Sequence, residues 1–123
     1  MINFSDNIQL KITKIAKTFG IFDCIPCARS IKIFLIQQNV KGKQIIVNTG
    51  SQDPIYGRIY DDSIGELIAT TGHHEGISII IEGEEIVFDN LHPQGINKVN
   101  WLSNLYSPIL EQGKQFNIQE IPF

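Results

Sequence analysis

The stretch Gly76–Phe88, GISIIIEGEEIVF, narrows the fold more than any other part of the chain. Two runs rich in β-branched residues flank Glu82-Gly83, a pair that favours a tight two-residue turn. The segment therefore predicts a β-hairpin, and a hairpin fixes which side chains share a face. With Ile81 opposite Glu84, Gly76 falls opposite Asp89. Strand alternation then sets Asp89 on the face that carries His74, Gly76 and Ser78. His74 and Asp89 become diagonal neighbours ~7–8 Å apart at the backbone, within side-chain reach. Moving the turn to Gly83-Glu84 keeps that parity, whereas a three-residue turn reverses it and promotes His73.

A carboxylate beside a histidine accepts one ring N–H, fixes the tautomer and leaves the other nitrogen for a nucleophile. Each residue alone also has an ordinary reading, His74 as a cap on a backbone carbonyl and Asp89 as the start of a turn. His92, in NLHPQG, reads as a loop or cleft-rim residue.

The second constraint is FDCIPCARSIKIFL, where two cysteines open an apolar helix expected to begin at Cys24–Pro26. The free N–H groups and dipole of a helix start favour an anion, and the thiolate is the reactive form of cysteine. Cys24 falls at the cap, facing a cleft; Cys27 falls one turn inside, on the side continuing into Ile31 and Phe34. Four readings of the pair compete. Both cysteines could be small core hydrophobes. Cys24 and Cys27 could be a thioredoxin-like redox dithiol, although the short Phe19–Asp23 segment leaves no room for a long strand before them. A zinc site from both cysteines and two histidines lacks any familiar spacing. The fourth reading, Cys24 as a nucleophile served by a distant histidine, is the one the hairpin supports.

Around these motifs the chain reads as α+β, helices first and a mostly antiparallel sheet after. A helix is expected from Ser5-Asp6 to a stop at Gly20. Strands are expected at Gln44–Asn48, Tyr56–Tyr60 and Phe116–Ile121. A helix is expected at Ile96–Leu105, with Val99, Trp101 and Leu102 on its apolar side. With 123 residues and no internal repeat or linker, a single domain over 1–123 is expected. The net charge is −3 and the ten Lys and Arg are scattered, which argues against nucleic acid and against an anionic membrane surface. No secretory signal or run of roughly 20 apolar residues is visible, so a cytoplasmic origin is expected. A toxin domain delivered by a larger system would carry no signal of its own. Met1 and an ordinary first helix point to a free-standing protein.

The motifs C-I-P-C-A (Cys24–Ala28), H-E-G-I (His74–Ile77) and F-D-N-L-H-P-Q-G-I (Phe88–Ile96), followed by a helix carrying Trp101, resemble the second papain-fold toxin group of bacterial polymorphic toxins. The resemblance runs from the first helix to about Pro108. It implies a papain-like fold with Cys24 as nucleophile, His74 as general base and Asp89 as its orienter, and no cofactor or metal. C-x-x-x-A also resembles the cysteine helix of protein-glutaminase enzymes, which favours Cys24. Papain peptidases place their nucleophile at the second cysteine of a similar motif, which keeps Cys27 in play. The glutamine that such peptidases carry shortly before the nucleophile is missing from Thr18–Asp23, so backbone N–H groups at Cys24 or a side chain such as Asn48 would have to bind the oxyanion. The expected chemistry is acyl transfer on a protein amide, as peptidase, deamidase or transglutaminase. The expected partners are a protein substrate and a dedicated immunity protein. A catalytically inactive binding module is the non-enzymatic alternative.

Overall fold

A computed structural model describes residues 4–123. Helix α1 spans Phe4–Ala16 and helix α2 spans Cys24–Gln37. Strand β1, Lys43–Asn48, follows, then β2, Ile59–Asp61, and β3, Glu66–Ala69. The predicted hairpin forms from β4, His73–Ile81, and β5, Glu84–Phe88. The chain closes with β6 (Ile96–Asn97), α3 (Lys98–Ser103), β7 (Leu105–Tyr106), a 3₁₀ turn at Pro108–Gln112 and β8 (Asn117–Pro122).

Two antiparallel sheets result, one in the order β6-β5-β4-β1-β8 and a smaller one in the order β3-β2-β7. The inner strands of the large sheet bury side chains on both faces, a different set on each. Ile77, Ile79 and Phe88 face Ile8, Ile12, Ile31 and Leu35 of the two long helices. Ile45, Val47 and Val87 face Trp101 of α3 and Ile59, Ile68 and Leu105 of the small sheet. The architecture is thus α+β, with helices on one side of an antiparallel sheet and a second, thinner layer on the other.

The hairpin register pairs Ile81 with Glu84 and Ile77 with Phe88, as the turn residues predict. Glu82 and Gly83 both adopt positive φ, 52° and 80°, the conformation a two-residue turn of this kind requires. β1 pairs Val47 with His74 and Ile45 with Gly76, which carries the same parity across the sheet.

Three expectations need correction. The first helix ends at Ala16 rather than at Gly20, because the Thr18 hydroxyl takes the Ile15 carbonyl at 2.7 Å and closes the last turn. Asp53, not a strand, organises the start of Tyr56–Tyr60: its Oδ1 accepts the N–H groups of Ile55 and Tyr56, and the strand begins only at Ile59. The helix expected over Ile96–Leu105 shrinks to Lys98–Ser103, because Ile96 and Asn97 pair with β5 and the Asn97 side chain caps the helix. Val99 points outward, with 73% of its surface exposed, while Trp101 is fully buried.

Candidate active site

Helix α2 begins at Cys24, and the turn before it is unusual. Phe22 has φ 71°, a left-handed conformation rare for a bulky residue. Asp23 occupies the cap position, yet its carboxylate makes no bond to the helix end. It accepts the Gly20 N–H at 3.0 Å instead. The first N–H groups of α2 are therefore left without a side-chain acceptor, right beside the Cys24 sulfur. Pro26 contributes no N–H of its own.

Both cysteines are free thiols and both are buried, with Cys24 at 5% exposure and Cys27 at 0%. They differ in surroundings. Cys27 packs with Ala28 and Ile31 in the helical core. Burial, with the nearby charges of Asp89, Cys24 and Asp23, pushes its pKa up to about 12, so it stays a thiol at neutral pH. Cys24 lines a cleft of about 190 Å³ with Phe22, Ile25, Ile68, Ala69, Thr70, Thr71 and His73. Helix α2 follows a helix, so the strand that a thioredoxin-like dithiol needs before its motif is not there.

His74 and Asp89 meet as the hairpin register requires. His74 Nε2 donates to Asp89 Oδ2 at 2.9 Å, and both side chains are fully buried. Asp89 follows the last residue of β5 and turns the chain on itself. Its Oδ1 accepts the backbone N–H of Leu91 at 2.9 Å and of His92 at 2.7 Å. Its Oδ2 also accepts the Trp101 indole N–H at 2.7 Å. Four donors hold one carboxylate, which compensates for its burial. Burial raises the Asp89 pKa, but His74, the charge of His92 and the Trp101 bond outweigh it and hold the group below the usual carboxylate range.

The His74 ring also stacks on Trp101, with centroids 5.6 Å apart and planes inclined by 30°. Gly76 makes room for that contact. A Cβ there would lie 2.8 Å from Val87 Cγ1 and 3.1 Å from Trp101 Cζ2. With Nε2 committed to Asp89, Nδ1 is the free nitrogen, and it has no well-aligned hydrogen-bond partner. Burial pulls the His74 pKa down. Asp89 and the neighbouring Cys24 sulfur outweigh it and raise the value to about 9. We read the cysteine contact as a close approach rather than a formed bond.

The other two histidines pair elsewhere. His73, on the opposite face of β4, bonds Glu75 Oε2 at 2.6 Å on the cleft wall. His92 Nε2 donates to Asp61 Oδ2 at 2.8 Å. Burial lowers the His92 pKa, but Asp61 and Asp89 reverse the shift and raise it against the opposing charge of His74. Asn48 does not line the cleft, and its Oδ1 accepts the Gly50 N–H at 2.7 Å in a local turn. Among the described residues no three His, Cys, Asp or Glu side chains converge in a way that could hold a metal ion.

The sequence brought Cys24, His74 and Asp89 forward; it did not reveal Trp101 as a partner of Asp89, nor Asp61 or Asn90. A buried tryptophan needs an acceptor for its N–H, and that requirement was the available signal for Trp101. Asn90 donates from Nδ2 to the Gly20 carbonyl at 2.8 Å, tying the Asp89 loop to the turn before Cys24.

A cysteine at a helix start, with a histidine on one strand and a carboxylate just past the end of the next in an antiparallel sheet, is a papain-like arrangement. The model of the papain fold toxin 2 family matches residues 7–106. The chain belongs to that family of papain-fold toxin domains. No curated protein and no solved structure matches it.

Proposed function

We propose that the protein is a cysteine-dependent acyl-transfer enzyme of the toxin-effector type, acting on an amide of a protein substrate. Cys24 serves as nucleophile, His74 as general base and Asp89 as the group that orients His74. The observation that carries this reading is the buried His74 ring. Its Nε2 is bound to a carboxylate at 2.9 Å, and the Cys24 sulfur is the neighbour acting on it from outside that pair.

The proposed steps are those of acyl transfer through a thioester. His74 Nδ1 takes the proton of Cys24, or holds the pair as thiolate and imidazolium, the state that its raised pKa favours at neutral pH. The thiolate attacks the amide carbon, and the carbonyl oxygen becomes an oxyanion. The uncapped N–H groups at the start of α2 are the donors placed to meet that charge. The tetrahedral intermediate collapses, the C–N bond breaks, and the leaving nitrogen takes the proton held by His74. A thioester on Cys24 remains. Water, deprotonated by His74, then cleaves the thioester and releases a carboxylic acid and the thiol. Asp89 stays ionised throughout and stabilises the imidazolium. Catalytic hydrogen bonds often align only once substrate is bound, which accommodates the unpaired Nδ1.

The cleft supports a macromolecular substrate. At about 190 Å³ it is smaller than the ~300–1,000 Å³ usual for small-molecule sites. It takes one side chain while the rest of the substrate lies outside. A groove of about 290 Å³ between Lys41, Ile79 and Phe123 shares no residue with it and holds neither cysteine nor histidine. Membership of a toxin family also supports a dedicated inhibitor that covers the cleft, with action in the interior of a target cell. No described helix is long and apolar enough to cross a membrane.

The test is incubation of the purified protein with unfolded casein, following ammonia release and new amino termini in parallel. Ammonia alone identifies a deamidase, and new termini identify a peptidase. Either activity must vanish in Cys24→Ala. An activity that survives this substitution would overturn the assignment.

A further inference from the structure

The loop after β5 carries more anchors than the proposed chemistry uses. Asp89 holds His74 and Trp101, and Asn90 holds the Gly20 carbonyl. His92 does two things at once. Its backbone N–H donates to Asp89 Oδ1 at 2.7 Å, and its ring donates to Asp61 Oδ2 at 2.8 Å. Asp61 lies on β2 in the small sheet and is 1% exposed. Its remaining oxygen accepts the Ser63 N–H at 2.9 Å and the Ser63 hydroxyl, so it is firmly held.

A buried histidine–aspartate pair is weak evidence for stability, because desolvation offsets the attraction between the charges. Its value here is positional. The two N–H groups of Leu91 and His92 fill Oδ1 of Asp89 and fix the plane of the carboxylate. That orientation leaves Oδ2 facing His74 and Trp101. The His92 ring is what ties this turn to a separate layer of the fold. The same layer supplies Ile68 and Ala69 to the cleft wall.

We infer that His92, anchored by Asp61, is a positioning residue that locks the turn orienting Asp89 and thereby sets the His74 ring against Cys24. The inference deepens the cysteine-enzyme reading and rests on it. His92 has no hydrogen bond to nucleophile or base; the bond from its backbone N–H to Asp89 is the route by which it acts.

The rate at which iodoacetamide alkylates Cys24 near neutral pH tests this without any substrate, in a Cys27→Ala parent read by intact mass. Asp89→Asn slows labelling if His74 activates the thiol. His92→Ala slows it about tenfold, the order expected of a small misplacement of reacting groups. His92→Gln, which keeps an N–H for Asp61, restores most of the rate. In the Asp89→Asn background His92→Ala adds nothing, because its route of action is already cut. Thermal unfolding of each variant reads folding separately, and Asp61→Asn carries the same test should His92→Ala not fold. A parent-like rate in both His92→Ala and Asp61→Asn overturns the inference. So does a His92→Ala effect that multiplies with Asp89→Asn, the signature of a merely structural role. If Asp89→Asn itself labels at the parent rate, the failure lies in the cysteine-enzyme reading instead.

Discussion

His73 and His74 are neighbours on one strand, and each has a carboxylate within hydrogen-bond distance, yet they occupy different chemical situations. Strand alternation sends them to opposite faces of the sheet. His73 is a quarter exposed, with 26% of its side chain open, and bonds Glu75, which in turn accepts from Gln44. His74 is sealed, stacked on an indole, and shares its carboxylate with that indole. His92 makes a third such pair with Asp61. A carboxylate partner is thus common to all three and identifies none of them. What separates His74 is a second nitrogen that is buried without a hydrogen-bond partner, in a ring on which the Cys24 side chain acts.

The largest effect that could break this comparison is the loss of the base. His74→Ala should lower turnover by about 10⁶-fold, as removal of the base of a catalytic unit does, whereas His73→Ala should leave it within a small factor. Equal losses from both, measured on whichever amide substrate the casein assay identifies, would dissolve the distinction.

Next in size is the pair itself. Asp89→Ala leaves a buried imidazole without its counter-charge and should cost roughly 3–5 kcal/mol in urea unfolding. The pH dependence has two limbs. The His74 pKa is raised to about 9 when folded. Its contribution is therefore complete below its unfolded value of ~6.5 and disappears as pH rises through about 9. The Asp89 pKa is lowered on folding, so its contribution is present above an unfolded value of ~3.9 and disappears as pH falls through the folded one. Wild-type melting temperature should therefore fall on both sides of a mildly acidic plateau between about pH 4 and 6.5, and Asp89→Asn should flatten both limbs. A profile unchanged by Asp89→Asn would show that the pair is not charged.

Smaller effects sharpen the contrast between the faces. Gly76→Ala forces a methyl group against Val87 and Trp101 and should cost about 1–3 kcal/mol. Trp101→Phe removes one of the four donors on Asp89 and should cost a similar ~1–3 kcal/mol. Both are read by chemical denaturation, and neither change should matter at His73. Cys27→Ala should preserve turnover, since that thiol belongs to the helical core. A dithiol mechanism would instead lose everything.

The sequence makes these faces readable where the signals are local. Glu82-Gly83 sets the hairpin register, and the register alone brings His74 and Asp89 together. The apolar run after Cys24-Ile25-Pro26-Cys27 predicts the helix that carries the thiol. The small sheet escapes such reading because its strands are Ile59–Asp61, Glu66–Ala69 and Leu105–Tyr106, too short for a period to show. The first two are also joined through an irregular register between Ile59 and Tyr60. The Asp61–His92 bond spans 31 positions, and no local pattern announces a contact of that separation. Val99 and Trp101 show the same limit from the other side. Both were expected on the apolar side, but residues two positions apart lie on nearly opposite sides of a helix, and only Trp101 reaches the core.

The central claim is that one imidazole activates one of two nearby thiols. Brief treatment with iodoacetamide near neutral pH, followed by peptide mass mapping, addresses it directly. The account predicts carboxamidomethyl on Cys24 and none on Cys27, with labelling strongly slowed by His74→Ala and unaffected by His73→Ala. Modification of Cys27 in preference to Cys24, or a Cys24 rate indifferent to His74, would contradict it.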